Sequence, residues 1–296
     1  MKEKILSHAK INVFLYVTSK REDGFHNLYS LMTRISLCDD IIVEHGRNGI
    51  SISCDHPDVP EDESNLAYKA ADLFYTSLPE PDINPDRGNG IAVTIVKRIP
   101  PGGGLGGGSS NAACVLACLN RKFNYPFSDQ DLMRLGLKLG ADVPFFLFGS
   151  PAIATGVGEK LEKIPCLKPY FLVLCDPGIS ACTADVYKNM DYRLTLTPKY
   201  YKNTGLNVLL REQETDVKNL AHNDLEESAC SLYPEIGQTK EQMERALGRK
   251  VFMTGSGASL FALFADRSNA VRGFEKLAEK WEGTGKNVFL SSFEQE

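Results

Sequence analysis

Residues 100–111 read PPGGGLGGGSSN, and six of the seven positions from Gly102 to Gly108 are glycine. Glycines offer no side chain to pack and lose much conformational entropy on folding, so this run indicates that backbone N–H groups approach a ligand closely. The segment Ala112–Leu119, a predicted helix, adds free N–H groups and the positive end of a helix dipole. A flexible linker is the alternative, but the Pro pair and the immediate helix favour an anion site, most simply for phosphate.

Three common kinds of phosphate-binding loop do not fit this stretch. A Gly-x-Gly-x-x-Gly match to the dinucleotide fingerprint is nearly automatic in polyglycine, and residues 97–101 separate this run from the preceding strand. A Walker A loop has Lys after its last glycine, whereas here Ser109 follows Gly108. The His-Arg-Asp and Asp-Phe-Gly motifs of protein kinases are absent. The loop therefore needs a lysine from elsewhere in the chain.

Hydrophobic patterning predicts an α+β chain of two domains. Residues 9–17 alternate between apolar and polar side chains, as in a strand with one buried face. A composition shift near Gly149-Ser150-Pro151 predicts an N-terminal mixed α/β domain over residues 1–150 and a C-terminal domain over residues 151–296. In the second domain, the predicted order of strands and helices is typical of a ferredoxin-like α+β fold. Further strands are predicted at 28–35, 40–44, 49–54 and 91–96.

The composition excludes several classes of function. The 296 residues carry a net charge of −5, which disfavours a nucleic-acid partner. No apolar run approaches the roughly 18 residues that span a bilayer, and the N-terminus resembles neither a signal nor a transit peptide. The eight cysteines show no Cys-x-x-Cys and no zinc-like spacing with histidine. We therefore expect a cytoplasmic protein with reduced thiols, in which Cys114 and Cys118 are helix-core residues.

Three segments together resemble the GHMP kinase superfamily. Residues 100–113 are similar to its ATP-binding signature, AKINVFL at 9–15 to its N-terminal motif, and MTGSGAS at 253–259 to its C-terminal glycine motif. They occur in the expected order and span nearly the whole chain. This resemblance implies the two-domain GHMP kinase fold, phosphoryl transfer from ATP with Mg²⁺, and a small-molecule substrate.

Further segments resemble one family within that superfamily, the 4-diphosphocytidyl-2-C-methyl-D-erythritol kinases. They are DGFH at 23–26, LMTRI at 31–35, LGADVPFF at 139–146 and NDLE at 223–226. The resemblance implies phosphorylation of the substrate 2-hydroxyl in the non-mevalonate isoprenoid route. Galactokinase-like members carry a Gly-Glu-His segment that this sequence lacks.

The resemblance also implies roles for particular residues. Asp142 would be the base that accepts the hydroxyl proton, and Lys10 would keep that carboxylate ionised and favour the nascent alkoxide. From the sequence alone, Gly140 ends a helix and Pro144 pushes Val143 out of helical geometry, which places Asp142 in a chain bend at a helix exit.

Two further groups of residues are expected to bind the two substrates. Phe25 and His26 would read a cytosine by stacking and at the base edge, although position 25 is Phe where the family more often has Tyr. Tyr187 is the expected second aromatic. The other expected substrate contacts are Asn12, Gly255, Ser256 and Gly257. The expected ATP contacts are Asn65, Pro101, Gly102, Gly103, Gly104, Leu105, Gly106, Gly107, Gly108, Ser109, Ser110 and Asn111. No carboxylate ligand for Mg²⁺ can be identified.

Three other functions stay open on the sequence. Another small-molecule GHMP kinase, acting on mevalonate or homoserine, would share the loop but not the Phe25-His26 turn. A catalytically silent nucleotide-binding protein would not need both Lys10 and Asp142. A nicotinamide-dependent oxidoreductase would need a strand directly before the loop.

Overall fold

A computed structural model of the chain describes residues 2–78, 89–190 and 214–294. Its backbone contacts divide the chain into two compact units, each assembled from separate stretches. The domains predicted over residues 1–150 and 151–296 stay a prediction. The first unit comprises Met1–Ala9, Cys38–Pro101 and Gly106–Gly149, and the second comprises Lys10–Leu37, Gly102–Leu105 and Ser150–Glu296.

The secondary structure of the described residues alternates between strands and helices. The strands are β1 Lys2–Lys20, β2 His26–Arg47, β3 Ile50–Cys54, β4 Gly90–Val96, β5 Ala152–Gly156, β6 Lys160–Lys163, β7 Phe171–Asp176, β8 His222–Asn223, β9 Phe252–Met253, β10 Leu260–Phe264 and β11 Asn287–Ser292. The helices are α1 Leu66–Thr76, α2 Gly107–Lys122, α3 Asp129–Leu139, α4 Val143–Phe148, α5 Thr183–Lys188, α6 Glu226–Leu232, α7 Pro234–Leu247 and α8 Arg267–Trp281.

The first unit packs helices against a small mixed sheet. Strand β4 lies between β3, which runs parallel to it, and the second half of β2, which runs antiparallel. Helix α2 contacts α1, α3 and α4. The apolar faces of these elements form one core, which includes Ile41, Phe74, Val93 and Leu116.

Strand β2 is longer than the sequence predicts. Two separate strands were expected here, at 28–35 and 40–44, with a break that includes Asp39. The structure instead has one continuous strand, His26–Arg47. Asp39 is fully buried within it and is paired with Lys97, with 2.5 Å between the carboxylate and Nζ. Because the buried charge has a partner, the strand tolerates it.

Helix α4 corrects the expected surroundings of Asp142. Pro144 was predicted to push Val143 out of helical geometry, but Val143 is the first residue of the helix Val143–Phe148. The prediction was wrong because proline is tolerated in the first turn of a helix, where its missing N–H would have no helical partner. Asp142 is the N-cap residue of α4, with φ −83° and ψ −16°, and its side chain does not cap the helix.

The second unit contains a four-stranded antiparallel sheet in the order β11–β7–β10–β9. Helix α8 packs against β7, β10 and β11, and the core between them includes Val173, Met243, Leu260 and Leu277. In the same unit, the first half of β2 pairs with β5, β5 pairs with β6, and β8 runs parallel to β1. The predicted α+β class is confirmed.

No helix in the described ranges combines the length and the apolar character needed to cross a membrane.

Candidate active site

The glycine-rich stretch ends in the first turn of helix α2. The helix begins at Gly107, five residues earlier than the sequence predicts, and its N-cap is Gly106 in the left-handed conformation, with φ +71°. The cap provides no side-chain hydrogen bond to the first turn. The backbone N–H groups that start the helix therefore create a region of positive potential, which suits an anionic ligand.

The earlier half of the loop, Gly102–Leu105, packs within the second unit. The amide of Lys10 donates to the carbonyl of Leu105 at 3.0 Å, and the amide of Ser259 donates to that of Gly103 at 3.1 Å. A methyl group at Gly104 would lie 2.6 Å from the carbonyl oxygen of Thr254. The sequence motifs at 9–15, 102–105 and 253–259 thus meet in one unit.

A chain of buried polar side chains begins at Lys10. Its Nζ donates to Asn12 Oδ1 at 2.7 Å, and Asn12 Nδ2 donates to the Ser30 hydroxyl at 2.7 Å. That hydroxyl donates to the carbonyl of Phe14 at 2.6 Å. Lys10 and Asn12 are 4% and 5% exposed. The ammonium group is thereby held in one orientation, which a solvent-exposed lysine would not be.

The second glycine motif lies beside Lys10. A methyl group at Gly255 would lie 3.5 Å from Lys10 Nζ and 3.1 Å from the carbonyl oxygen of Gly104. Asn223 holds this turn, because its Nδ2 donates to the carbonyls of Met253 at 2.9 Å and Gly255 at 2.8 Å. Ser256 exchanges a 2.7 Å hydrogen bond with Thr183.

Aromatic side chains surround the turn that was predicted to read a base. The rings of His26 and Tyr187 stack, with centroids 4.9 Å apart and planes 23° apart. The neighbouring Phe25 is 64% exposed, an unusual position for a large apolar ring. Burial, and to a lesser extent the charge of Lys20, lowers the pKa of His26 below its ordinary value. The imidazole is therefore largely neutral at pH 7 and presents one donor and one acceptor nitrogen.

The segment around Asp142 lies beside the start of α2 in the first unit. A methyl group at Gly140 would lie 3.7 Å from the Ser109 hydroxyl. Asp142 itself is half-buried. Ser110 and Asn111, by contrast, are 2% and 3% exposed. Ser7 Oγ lies 2.8 Å from the Ser110 hydroxyl and 2.7 Å from the amide of Asn111, so these two side chains point into the interior.

Asn65 occupies the N-cap of helix α1. Its Oδ1 accepts from the amide of Ala67 at 2.8 Å, and its Nδ2 donates to the carbonyl of Pro60 at 2.6 Å. The next residue, Leu66, approaches the other side of the loop, with Cδ1 3.4 Å from a methyl group placed at Gly108. The start of α1 and the start of α2 are therefore neighbours.

Sequence reasoning did not identify Lys97 or Asp39. Lys97 Nζ would lie 2.8 Å from a methyl group at Gly107. Its partner Asp39 also accepts hydrogen bonds from the backbone amides of Arg98 and Ile99, each at 2.8 Å. The sequence signal was present, since the loop required a lysine from elsewhere. Asn223 lies in the segment 223–226 that resembles the family, but its contacts with the Gly255 turn could not be predicted. Thr183 and Ser30 carried no comparable signal, because their partners are distant in sequence.

Comparison with known proteins identifies the family of this chain. The family models "GHMP kinases N terminal domain" and "GHMP kinases C terminal" match residues 65–150 and 208–283. A 4-diphosphocytidyl-2-C-methyl-D-erythritol kinase of Citrifermentans bemidjiense is 38% identical over 283 residues, which cover 94% of this chain and 95% of the relative. The chain belongs to this kinase family. A second member, from Syntrophotalea carbinolica, is 39% identical over 282 residues, covering 94% of this chain and 95% of its own.

Solved structures agree with that membership. A crystal structure of a 4-(cytidine 5'-diphospho)-2C-methyl-D-erythritol kinase matches with a TM-score of 0.77 and 33% identity, covering 99% of this chain and all of the other. A homoserine kinase from Cytophaga hutchinsonii matches with a TM-score of 0.71 but 16% identity, covering 99% of this chain and 94% of its own. The latter likeness shows the fold alone. The predicted GHMP kinase fold is confirmed, and the chain is an ATP-dependent phosphotransferase with an alcohol acceptor.

Proposed function

We propose that this chain transfers the γ-phosphoryl group of ATP to the 2-hydroxyl of 4-diphosphocytidyl-2-C-methyl-D-erythritol, in the non-mevalonate isoprenoid route. The observation that carries the proposal is the 38% identity to kinases of that name over 94% of the chain.

ATP binds along residues 102–110, with its phosphates at the start of α2. The later half of the loop, residues 106–110, has a glycine N-cap, no side-chain cap and an exposed Gly108, which fits a phosphate chain that approaches the backbone. Asn65 lies on the adenine side. Since the side chains of Ser110 and Asn111 are buried, nucleotide contacts there fall to the backbone, and Ser109 supplies the hydroxyl. Mg²⁺ is held chiefly by phosphate oxygens and neutralises their charge.

The cytosine of the acceptor substrate is recognised by the Phe25-His26 turn. Phe25 stacks on the base, because its ring is exposed and has no hydroxyl to offer. The neutral imidazole of His26 pairs with the base edge, and Tyr187 supports its orientation by stacking on it. Asn12 and the turn Gly255-Ser256-Gly257 contact the remainder of the substrate.

The transfer is direct, with no phosphorylated enzyme. Asp142 accepts the proton of the substrate 2-hydroxyl while the hydroxyl oxygen forms a bond to the γ-phosphorus of ATP. The bond between that phosphorus and the departing ADP oxygen breaks in the same step. Lys10 favours the ionised carboxylate and stabilises the negative charge that develops on the attacking oxygen. Its ammonium is suited to this role because Asn12 and Ser30 fix its orientation in advance.

The substrate assignment is tested by ADP release in the presence of Mg²⁺ and ATP. We expect turnover with 4-diphosphocytidyl-2-C-methyl-D-erythritol and none above background with mevalonate or homoserine. Turnover with one of the control alcohols alone would contradict the substrate but keep the phosphotransferase. ATP binding without turnover of any of the three would contradict the catalytic proposal.

The base is tested by Asp142→Asn, which keeps the shape of the side chain and removes its proton affinity. We expect kcat to fall about 10²- to 10⁴-fold, the usual contribution of general base catalysis, with ATP affinity and unfolding midpoint nearly unchanged. Asp72→Asn, an exposed carboxylate on α1 in the same unit, is the matched control and should keep full activity. A kcat within threefold of the parent, about 0.6 kcal/mol, would remove Asp142 from the mechanism.

A further inference from the structure

A cluster of three different metal-binding side chains lies in the first unit, at residues to which the proposed reaction assigns no role. Glu3 on β1, His45 on β2 and Cys118 on α2 converge there. Glu3 Oε1 lies 3.1 Å from His45 Nε2 and 2.8 Å from Cys118 Sγ, and the sulfur lies 3.6 Å from the same imidazole nitrogen. Sequence spacing predicted no zinc site and made Cys118 a helix-core residue, because Glu3 and His45 are 42 positions apart and His45 and Cys118 are 73 positions apart.

The surroundings of the cluster hold these groups in place. Arg121 Nη2 donates to the other carboxylate oxygen, Glu3 Oε2, at 2.6 Å. This leaves Oε1 directed at the imidazole and the thiol, as an outer hydrogen-bond partner does for a ligating carboxylate. The Cys118 residue is 1% exposed and the His45 side chain 6%, whereas the Glu3 side chain is 30% exposed. Solvent and ions therefore reach the cluster from the side of the carboxylate.

We propose that Glu3, His45 and Cys118 form a binding site for a borderline-soft divalent cation of the Zn²⁺ class, with water as the fourth ligand. Tetrahedral zinc places sulfur and imidazole nitrogen about 3.6 Å apart, and nitrogen and carboxylate oxygen about 3.4 Å apart. The observed separations are 3.6 Å and 3.1 Å. The sulfur–oxygen pair must open most, by about 0.8 Å, and Glu3 is the partly exposed member that can move.

The donor set selects the class of metal. Thiolate and imidazole prefer Zn²⁺ and similar ions, whereas Mg²⁺ requires oxygen ligands in an octahedron. The site is therefore distinct from the Mg²⁺ that accompanies ATP. Binding releases the Cys118 thiol proton to solvent, and His45 presents its Nε2 lone pair while its remaining proton resides on Nδ1. The bound ion would join β1 and β2 to α2, the helix whose first turn receives the phosphates.

The probe is Co²⁺, which reports thiolate ligation by a charge-transfer absorption band in the near ultraviolet. We expect the full chain, stripped of metal and fully reduced, to bind one equivalent with this band. Cys118→Ser should lose the band, whereas Cys114→Ser, one helical turn earlier on α2, should retain it. Absence of the band in the parent chain, or its survival in Cys118→Ser, would overturn the proposal.

A second variant decides the matter if Cys118→Ser does not fold, as judged by circular dichroism. Glu3→Gln keeps the thiol and the shape of the side chain but weakens the oxygen ligand. We expect at least an approximately tenfold weaker affinity for Co²⁺, and a rise in unfolding midpoint with Zn²⁺ that is smaller than in the parent chain. Equal affinities, or a dissociation constant of the parent above about 0.1 mM, would mean adventitious association and overturn the proposal.

Discussion

The two halves of the glycine-rich loop contain glycine for different physical reasons. In Gly102–Leu105, which belongs to the second unit, Gly104 has φ +76°, and a methyl group there would lie 2.6 Å and 3.0 Å from the carbonyl oxygens of Thr254 and Gly257. In the first unit, Gly108 lies in the first turn of α2, and among the residues that the structure describes a methyl group there would meet only Leu66 Cδ1, at 3.4 Å. Gly104 is required by the packing of the protein, whereas Gly108 leaves space that the protein itself does not fill.

This difference teaches how to interpret a glycine run. A loop glycine that touches protein backbone contributes to folding, and its replacement should lower stability. A loop glycine with open space beside a helix N-terminus contributes to ligand approach, and its replacement should affect binding. Gly107 is intermediate, because its neighbours are the side chains of Lys97 and Ile99. Alanine at each position separates the two roles.

Gly104→Ala should have the largest effect. Alanine in the left-handed region costs about 1–2 kcal/mol, and its methyl group would lie 2.6 Å from the backbone oxygen of Thr254, which cannot move cheaply. We expect the free energy of unfolding to fall by about 3–4 kcal/mol in a urea titration. The matched control is Gly248→Ala, where φ is +64° but a methyl group would meet none of the described residues within 4 Å. That variant should lose only about 1–2 kcal/mol. Equal losses in the two variants would show that the backbone contact costs nothing.

Much of the fold could be predicted because its signals are local. The alternation in residues 9–17 and the glycine run each lie within about a dozen residues, the range over which sequence patterns are informative. The predictions failed where a distant partner decided the outcome. The break expected near Asp39 is absent because Lys97, 58 positions later, pairs with its carboxylate.

The candidate site divides in the same way. Lys10, Asn12, the Phe25-His26 turn and the glycine motifs could be named from short segments. The contacts that hold these residues in place could not be predicted, since Asn223 donates to the Gly255 carbonyl from 32 positions away. Tyr187 was placed by resemblance, and the structure stacks it on His26, but its binding role stays a proposal. The prediction that Val143, next to Asp142, is not helical was wrong because proline is tolerated in the first turn of a helix, whereas further along it breaks the helix.

Gly107→Ala should have an intermediate effect on stability. The added methyl group would lie 2.8 Å from Lys97 Nζ and 3.0 Å from Ile99 Cγ2. The lysine cannot swing away freely, because it is buried and paired with Asp39. Overpacking of this kind costs about 1–3 kcal/mol, and replacing glycine in a helix returns about 1 kcal/mol. We therefore expect a net loss of about 1 kcal/mol in urea unfolding. A gain in stability would show that the Lys97–Asp39 pair moves aside without penalty. Gly107, like Gly108, would then serve ligand approach and not the packing of the protein.

Gly108→Ala should leave the fold intact and weaken only nucleotide binding. Alanine suits a helical position better than glycine, so unfolding free energy should stay level or rise by up to about 1 kcal/mol. The methyl group would occupy the space through which a phosphate reaches the first-turn N–H groups, and we expect ATP affinity, measured by calorimetry, to fall about tenfold, or 1.4 kcal/mol. Gly237→Ala is the matched control, because it is a helical glycine with similar room, 3.6 Å from Cys230. It should gain stability in the same way and keep the parent affinity. Parent-like ATP affinity in Gly108→Ala would mean that the phosphates do not approach this turn, and the space beside Gly108 would then need another explanation.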